Sequence, residues 1–313
     1  MDMKLQSKKC TLRGLGYHLH VAGDENAPCI ILLHGLLDTG ASFAPLIRAL
    51  STQIMARHWI APDWRGHGNT DRAPEGYWFP DYLADLDALL QAVAPNQAVA
   101  LVGHSMGGQV ASMYAGAQPD AVSHLITLDS LNVPDAPIER TPERYRQWLA
   151  GLRKPLRERS FASITAIAAR IARRYPELTS ATCRWLAANW ARKTADGRFC
   201  LAFDPRHRLP FPYGFRLAEA KALWREVRAP TLCLDAEQSR LQQGLDAADM
   251  RARQACFAHL TQETVVGCGH MLHVQAPDVV ARSIARFLTA PATTGTVTPD
   301  SGTCARHDGY GHT

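Results

Sequence analysis

The stretch Ala98 to Gln118, AVALVGHSMGGQVASMYAGAQ, decides the fold. Five apolar residues of strand character run into Gly103-His104-Ser105-Met106-Gly107-Gly108, and a helix-forming segment runs straight out. G-x-S-x-G alone is a weak pattern, but a strand before it and a helix after it are the context a nucleophile elbow requires. In such a turn the serine backbone is strained, and the glycines avoid Cβ collisions with the neighbouring strand and helix. Ser105 Oγ is then expected at the carboxyl edge of a sheet, over a helix N-terminus whose free N–H groups suit a developing anion.

A serine hydroxyl is a poor nucleophile near neutral pH and needs a base. His270 is the candidate. It lies in Val266-Gly267-Cys268-Gly269-His270-Met271, after the last expected strand and before the last expected helix, which puts it at the same sheet edge as Ser105. His273, three residues on, reads as a packing residue under that loop. Two backbone N–H groups must face the oxyanion. Met106, following the nucleophile, offers one, and Leu36, in His34-Gly35-Leu36-Leu37-Asp38 after the run IILL, offers the other.

Outward from this centre, strand-like runs recur at Tyr17 to Ala22, Cys29 to Leu33, Trp59 to Ala61, Leu125 to Leu128, Thr231 to Leu234 and Thr264 to Val265. Helical spacing falls between most of them, at Phe43 to Leu50, Asp81 to Val93 and Gly108 to Gln118, with Val279 to Leu288 after the last strand. Alternation of this kind specifies an α/β protein with a mostly parallel sheet covered on both faces. It breaks after Leu128 and resumes at Thr231. The intervening hundred or so residues read as a helical lid, with one helix opened by Thr141 as N-cap, Pro142 in the first turn and Glu143 as an acid, and others through the stripe Ile164, Ile167, Ala168 and Ile171, over about Ser180 to Lys193, and over Leu217 to Val227. Arg170, Arg173 and Arg174 are expected to turn largely away from the isoleucine stripe. The expected units are core 1–133, lid 134–228, core 229–290, and a disordered tail 291–313.

At 313 residues, 46% hydrophobic, the chain can bury one large core with an appended unit. No run reaches the roughly 20 apolar residues of a membrane span. The start lacks the apolar core of a secretory signal, so a cytoplasmic location is expected. The eight cysteines stand singly without metal-ligand spacing, which argues for reduced thiols and no metal. The net charge of +5 is unevenly spread: residues 137–230 hold 20 of the 34 Lys+Arg but 8 of the 29 Asp+Glu, so the lid is basic and the rest acidic. A basic lid is compatible with an anionic substrate, and equally with solvated helix faces.

The phrases LLHGLLDTGASFAPLIRAL, APDWRGHGNTD, LVGHSMGGQVA and GCGHMLHVQAPDVVARSIARFL resemble, in order and spacing, the α/β-hydrolase superfamily, and within it the serine hydrolase-like branch near esterases and C–C bond hydrolases. The resemblance spans nearly all the chain except lid and tail. It implies an eight-stranded sheet, a Ser/acid/His triad and no cofactor, with Ser105, His270, Leu36 and Met106 in the roles above. One position departs from the usual pattern: aligning Ala236-Glu237 with the Gly-Glu pair that precedes the common acid places Ser239 where that aspartate stands. Asp129, Asp235 and Glu237 are the alternatives. Asp129 is preferred because haloalkane dehalogenases, another branch, carry the acid after the strand that follows the nucleophile.

The implied activity is hydrolysis of a small-molecule ester or thioester, neutral or anionic, through an acyl-serine; the alternative is hydrolysis of a C–C bond beside a carbonyl. A catalytically silent hydrolase fold acting as a receptor is the reading from another class. No nucleic-acid partner is expected.

Overall fold

The computed structural model describes residues 5–54, 56–239 and 245–290. Its main sheet has eight strands: β1 (Gln6–Leu12), β2 (Leu15–Gly23), β3 (Cys29–Leu33), β4 (His58–Pro62), β5 (Val99–His104), β6 (Val122–Leu128), and, after a two-stranded excursion, β9 (Thr231–Ala236) and β10 (Leu260–Val265). Their order is β1-β2-β4-β3-β5-β6-β9-β10, with β2 antiparallel to both neighbours and every other pair parallel. The central strands are apolar throughout because both faces are covered.

Those faces form two cores. One lies against α2 (Phe79–Val93), α3 (Met106–Ala117) and α7 (Leu217–Arg225), where Leu101, Tyr82, Val110 and Trp224 are buried together. The other lies against α1 (Ala44–Ser51) and α10 (Pro277–Thr289), around Leu32, Val102, Leu46 and Ile284. α8 (Ala247–Gln254) precedes β10, and the short α9 (Leu272–Gln275) follows the His270 loop.

The path of the chain places the site. From β3 it moves to β4 on one side, then crosses to β5 on the other, so the loops leaving β3 and β5 diverge at neighbouring carboxyl ends. Such a switch point opens a crevice at the sheet edge.

Between β6 and β9 the chain builds α4 (Thr141–Leu152), α5 (Ile164–Arg174), α6 (Ser180–Trp190) and then α7. A third cluster joins Ile167 and Ile171 of α5 to Leu186 and Trp190 of α6 and to Met271 of the His270 loop. Two expectations need correction. The helix expected to about Lys193 ends at Trp190, and Ala191–Lys193 forms β7, paired antiparallel with β8 (Phe199–Leu201) around the Asp196-Gly197 turn. Thr141 is not the cap of α4 but its first residue, and its hydroxyl accepts a bond from Arg144. α7, which the sequence groups with the lid, packs on α3 through Trp224, whose indole donates to Ser112. The seven described cysteines are free, with Cys233 and Cys268 buried among apolar neighbours and Cys29 partly so. The expected tail, 291–313, lies outside the described residues. No helix among the described residues is long and apolar enough to cross a membrane.

Candidate active site

β5 delivers Ser105 into a turn with φ 51° and ψ −120°. A non-glycine residue there carries strain of order ~1–3 kcal/mol, which the packing on either side must hold. A Cβ on Gly103 would come 2.5 Å from Gly107 O, and one on Gly107 would come 2.0 Å from Leu33 O. The turn is therefore pressed against its own helix and against the end of β3, which explains glycine at both positions.

The loop after β3 reaches the same point. A Cβ on Gly35 would sit 3.0 Å from Ser105 Cβ. The conformation of this loop is held from below. The His34 ring, kept neutral by burial that lowers its pKa to about 4, donates from Nδ1 to Gly35 O and accepts the Trp64 N–H at Nε2. Leu37, at φ 65°, donates its N–H to His67 Nε2. Among the described residues neither the Leu36 nor the Met106 N–H is recorded in a hydrogen bond, so both remain available. The APDWRGHG segment thus serves as the support of the loop that carries Leu36.

His270 lies where the β10–α9 loop crosses the sheet edge. Its Nδ1 is 2.6 Å from Asp129 Oδ2, and Asp129 is fully buried at the end of β6 with φ 47°. Asp129 Oδ1 accepts from Asn132 Nδ2 at 3.0 Å and from the Ala236 N–H at 3.4 Å, and Oδ2 also accepts from Ser239 Oγ at 2.5 Å. A carboxylate accepting from this many donors is fixed in one orientation. The loop is braced again at His104, whose Nε2 donates to His270 O over 2.8 Å and whose pKa burial and the neighbouring His273 and His270 push well down.

The two other carboxylates do different work. Asp235 turns to the opposite side of β9, accepting from Gln262 Nε2 at 3.0 Å, and burial raises its pKa. Glu237 accepts the Gly267 N–H at 2.8 Å and steadies the base of the His270 loop.

Ser105, His270 and Leu36 line one cleft of about 570 Å³, whose lid wall includes Ile167, Ile171 and Trp190. Met106, the other expected oxyanion donor, is not among the residues lining this cleft, and its side chain packs toward the core. Arg170, Arg173 and Arg174, expected largely away from the isoleucine stripe, also line the cleft, and Arg208 joins them.

Three features escaped sequence reasoning. Ser239, noted only for its place in the alignment, and Asn132 both donate to Asp129, a partnership that no local pattern shows. Asp38 is buried and accepts from the Thr39 N–H, Ser42 Oγ and Trp190 Nε1, the last at 2.7 Å, so it ties the lid to the Leu36 loop; burial raises its pKa to about 7. That contact spans 152 residues of sequence and leaves no local trace.

The chain belongs to the alpha/beta hydrolase family, whose sequence model matches residues 30–283. It is therefore a hydrolase acting on small molecules. It is 27% identical over 274 residues to 2-(acetamidomethylene)succinate hydrolase of Mesorhizobium japonicum, covering 87% of this chain and 92% of that protein. It is 34% identical over 128 residues to the sn-1-specific diacylglycerol lipase ABHD11 of Mus musculus, an alignment covering 41% of this chain and 39% of the lipase. Among solved structures, the thioesterase domain from the curacin biosynthetic pathway superposes with a TM-score of 0.78 at 22% identity, covering 91% of this chain and 99% of that one, a likeness of fold.

Proposed function

We propose that the protein is a serine hydrolase that cleaves a carboxylic ester or thioester through an acyl-serine, with Ser105 as nucleophile, His270 as general base and Asp129 as the acid that orients it. The observation that carries this reading is the 2.6 Å bond from His270 Nδ1 to buried Asp129, with His270 lining the same cleft as Ser105. Binding Nδ1–H to Asp129 fixes the tautomer that leaves Nε2 as the acceptor.

In the first step Ser105 Oγ attacks the carbonyl carbon while its proton passes to His270 Nε2. Charge develops on the carbonyl oxygen, which the Leu36 and Met106 N–H groups stabilise. Collapse of the adduct breaks the bond to the alkoxide or thiolate, which leaves with the proton from His270. Water then attacks the acyl-serine by the same route, regenerating Ser105 and releasing the acid.

A second reading is hydrolysis of a C–C bond beside a carbonyl. The relative named for 2-(acetamidomethylene)succinate favours chemistry beyond simple esters. A panel of chromogenic esters of increasing acyl length, run beside a vinylogous diketone, tests the choice. Turnover of esters with Ser105-dependent burst kinetics supports the first reading, and turnover of the diketone alone supports the second.

A further inference from the structure

α5 presents Ile167, Arg170, Ile171 and Arg174 at i, i+3, i+4 and i+7, one helical face, to the cleft. Arg173 and Arg208 line it as well. Glu177 is the single carboxylate among the lining residues, and it lies against the His270 loop: a Cβ on Gly269 would come 2.2 Å from its Oε1. Among the described residues none of the four guanidiniums is recorded in an ion pair. Other arginines of the same chain are paired: Arg72 and Arg192 with Glu158, Arg206 with Asp204, Arg228 with Asp120.

Arg208 stacks its guanidinium 4.7 Å over Phe203, another cleft residue. Its pKa is lowered by burial and by the positive charges of Arg170 and Arg159, which places these cations near one another. Gathering like charges at a half-enclosed wall raises the energy of the empty cleft, and an anion that enters relieves it. A planar guanidinium suits a carboxylate in particular, since two parallel N–H groups meet its two oxygens. The apolar Ile167, Ile171 and Phe203 line the same cleft of about 570 Å³ and suit a short carbon skeleton.

We infer that Arg170 and Arg208 bind a carboxylate carried by the substrate apart from the bond that is cut, so that the preferred substrates are monoesters or monothioesters of short dicarboxylic acids or esters of hydroxy acids. The kinetic form of this inference rests on the serine-hydrolase reading; its binding form does not.

The test compares 4-nitrophenyl hemisuccinate with its methyl-capped neutral counterpart, and 4-acetoxybenzoate with its methyl ester, so that the carboxylate lies on the acyl or the alcohol side. The protein should favour the charged member of at least one pair in kcat/KM, and the ratio should fall by about tenfold in Arg170→Gln and in Arg208→Gln, the size of one charge-assisted bond. Arg228→Gln, remote from the cleft and paired with Asp120, should leave the ratio unchanged. A ratio near one in both pairs, or a ratio unmoved by both cleft substitutions, overturns the inference. If neither pair is hydrolysed, the enzymatic reading has failed, and calorimetric titration with glutarate still decides: binding weakened about tenfold in the Arg variants supports the site. Absent or unaltered binding overturns it.

Discussion

Ser239 Oγ donates to Asp129 Oδ2 over 2.5 Å, so the residue standing where the usual family pattern has its acid contacts the aspartate proposed for that role. β6 and β9 are hydrogen-bonded neighbours, and their carboxyl ends bring position 129 and position 239 to the same point beside His270. In the proposed triad the acid therefore stands one strand along the sheet from the usual position and still within reach of the histidine.

Asp129→Asn should lower kcat by about 10²- to 10⁴-fold, as neutralising the acid of such a triad does elsewhere. Asp235→Asn and Glu237→Gln should each cost far less, because one carboxylate faces Gln262 and the other a backbone N–H. Steady-state kinetics on one chromogenic ester ranks the three. Near-full activity in Asp129→Asn would remove this aspartate from the mechanism.

The contact with Ser239 makes a sharper expectation. Ser239→Asp alone sets a second carboxylate against a buried one, so that one of the two keeps a proton and activity at neutral pH falls. Combined with Asp129→Asn, the same change should recover at least about tenfold of the lost kcat, since a single carboxylate then again reaches the site beside His270. A double variant no better than Asp129→Asn would mean that position 239 cannot take over the role.

Trp190→Phe keeps an aromatic ring, though a smaller one, and removes the one donor. Asp38 would then be left buried without its 2.7 Å indole partner, at a cost of about 1–3 kcal/mol in chemical denaturation. Because that bond joins α6 to the loop bearing Leu36, kcat should fall too. Unchanged stability would show that the lid is held by its apolar contacts alone.

Buried neutral histidines should make the protein acid-sensitive. Burial lowers His34 and His207 to about 4 and His273 to about 3, and holds His67 and His104 well below 6.5. Below 6.5 the unfolded chain binds protons that the folded one refuses, so the stabilisation present above 6.5 is lost as pH falls toward 4, by about 1.4 kcal/mol per pH unit for each histidine. Asp38, raised to about 7 from 3.8, and Asp235, also raised by burial, act in the opposite direction, two groups against these five. Melting temperature should therefore drop steeply between pH 6.5 and 5. A flat profile there would contradict the neutral assignment of the cluster.

The legible parts of the molecule are those with local or repeated signals. The elbow around Ser105, the glycine loop around His270 and the apolar parallel strands carry patterns within ten residues. β1 did not: QSKKCTL is an edge strand, almost wholly exposed, and lacks apolar alternation. The opposite edge, β10, is polar and largely exposed between Leu260 and Val265 at its two ends, so the expected Thr264 to Val265 covers only the end of a strand that runs Leu260–Val265. The β7–β8 hairpin hid inside a segment whose composition suits helix. At the site, Asp129 was preferred through the resemblance to haloalkane dehalogenases, since strand position alone permits Asp235 and Glu237 as well, whereas the Ser239 and Asn132 bonds and the Asp38–Trp190 bond depend on tertiary contact. The arginines of α5 sit on a face that is part apolar and part cationic, a mixture periodicity assigns to solvent until a cleft is seen there.

The central claim is that Ser105 is an activated nucleophile, and covalent labelling with a fluorophosphonate probe tests it most directly. The account predicts stoichiometric labelling of the intact protein, with the adduct mapped by peptide mass to Ser105, strongly slowed in His270→Ala and absent in Ser105→Ala. No adduct on the folded protein, or an equal adduct in Ser105→Ala, would contradict it.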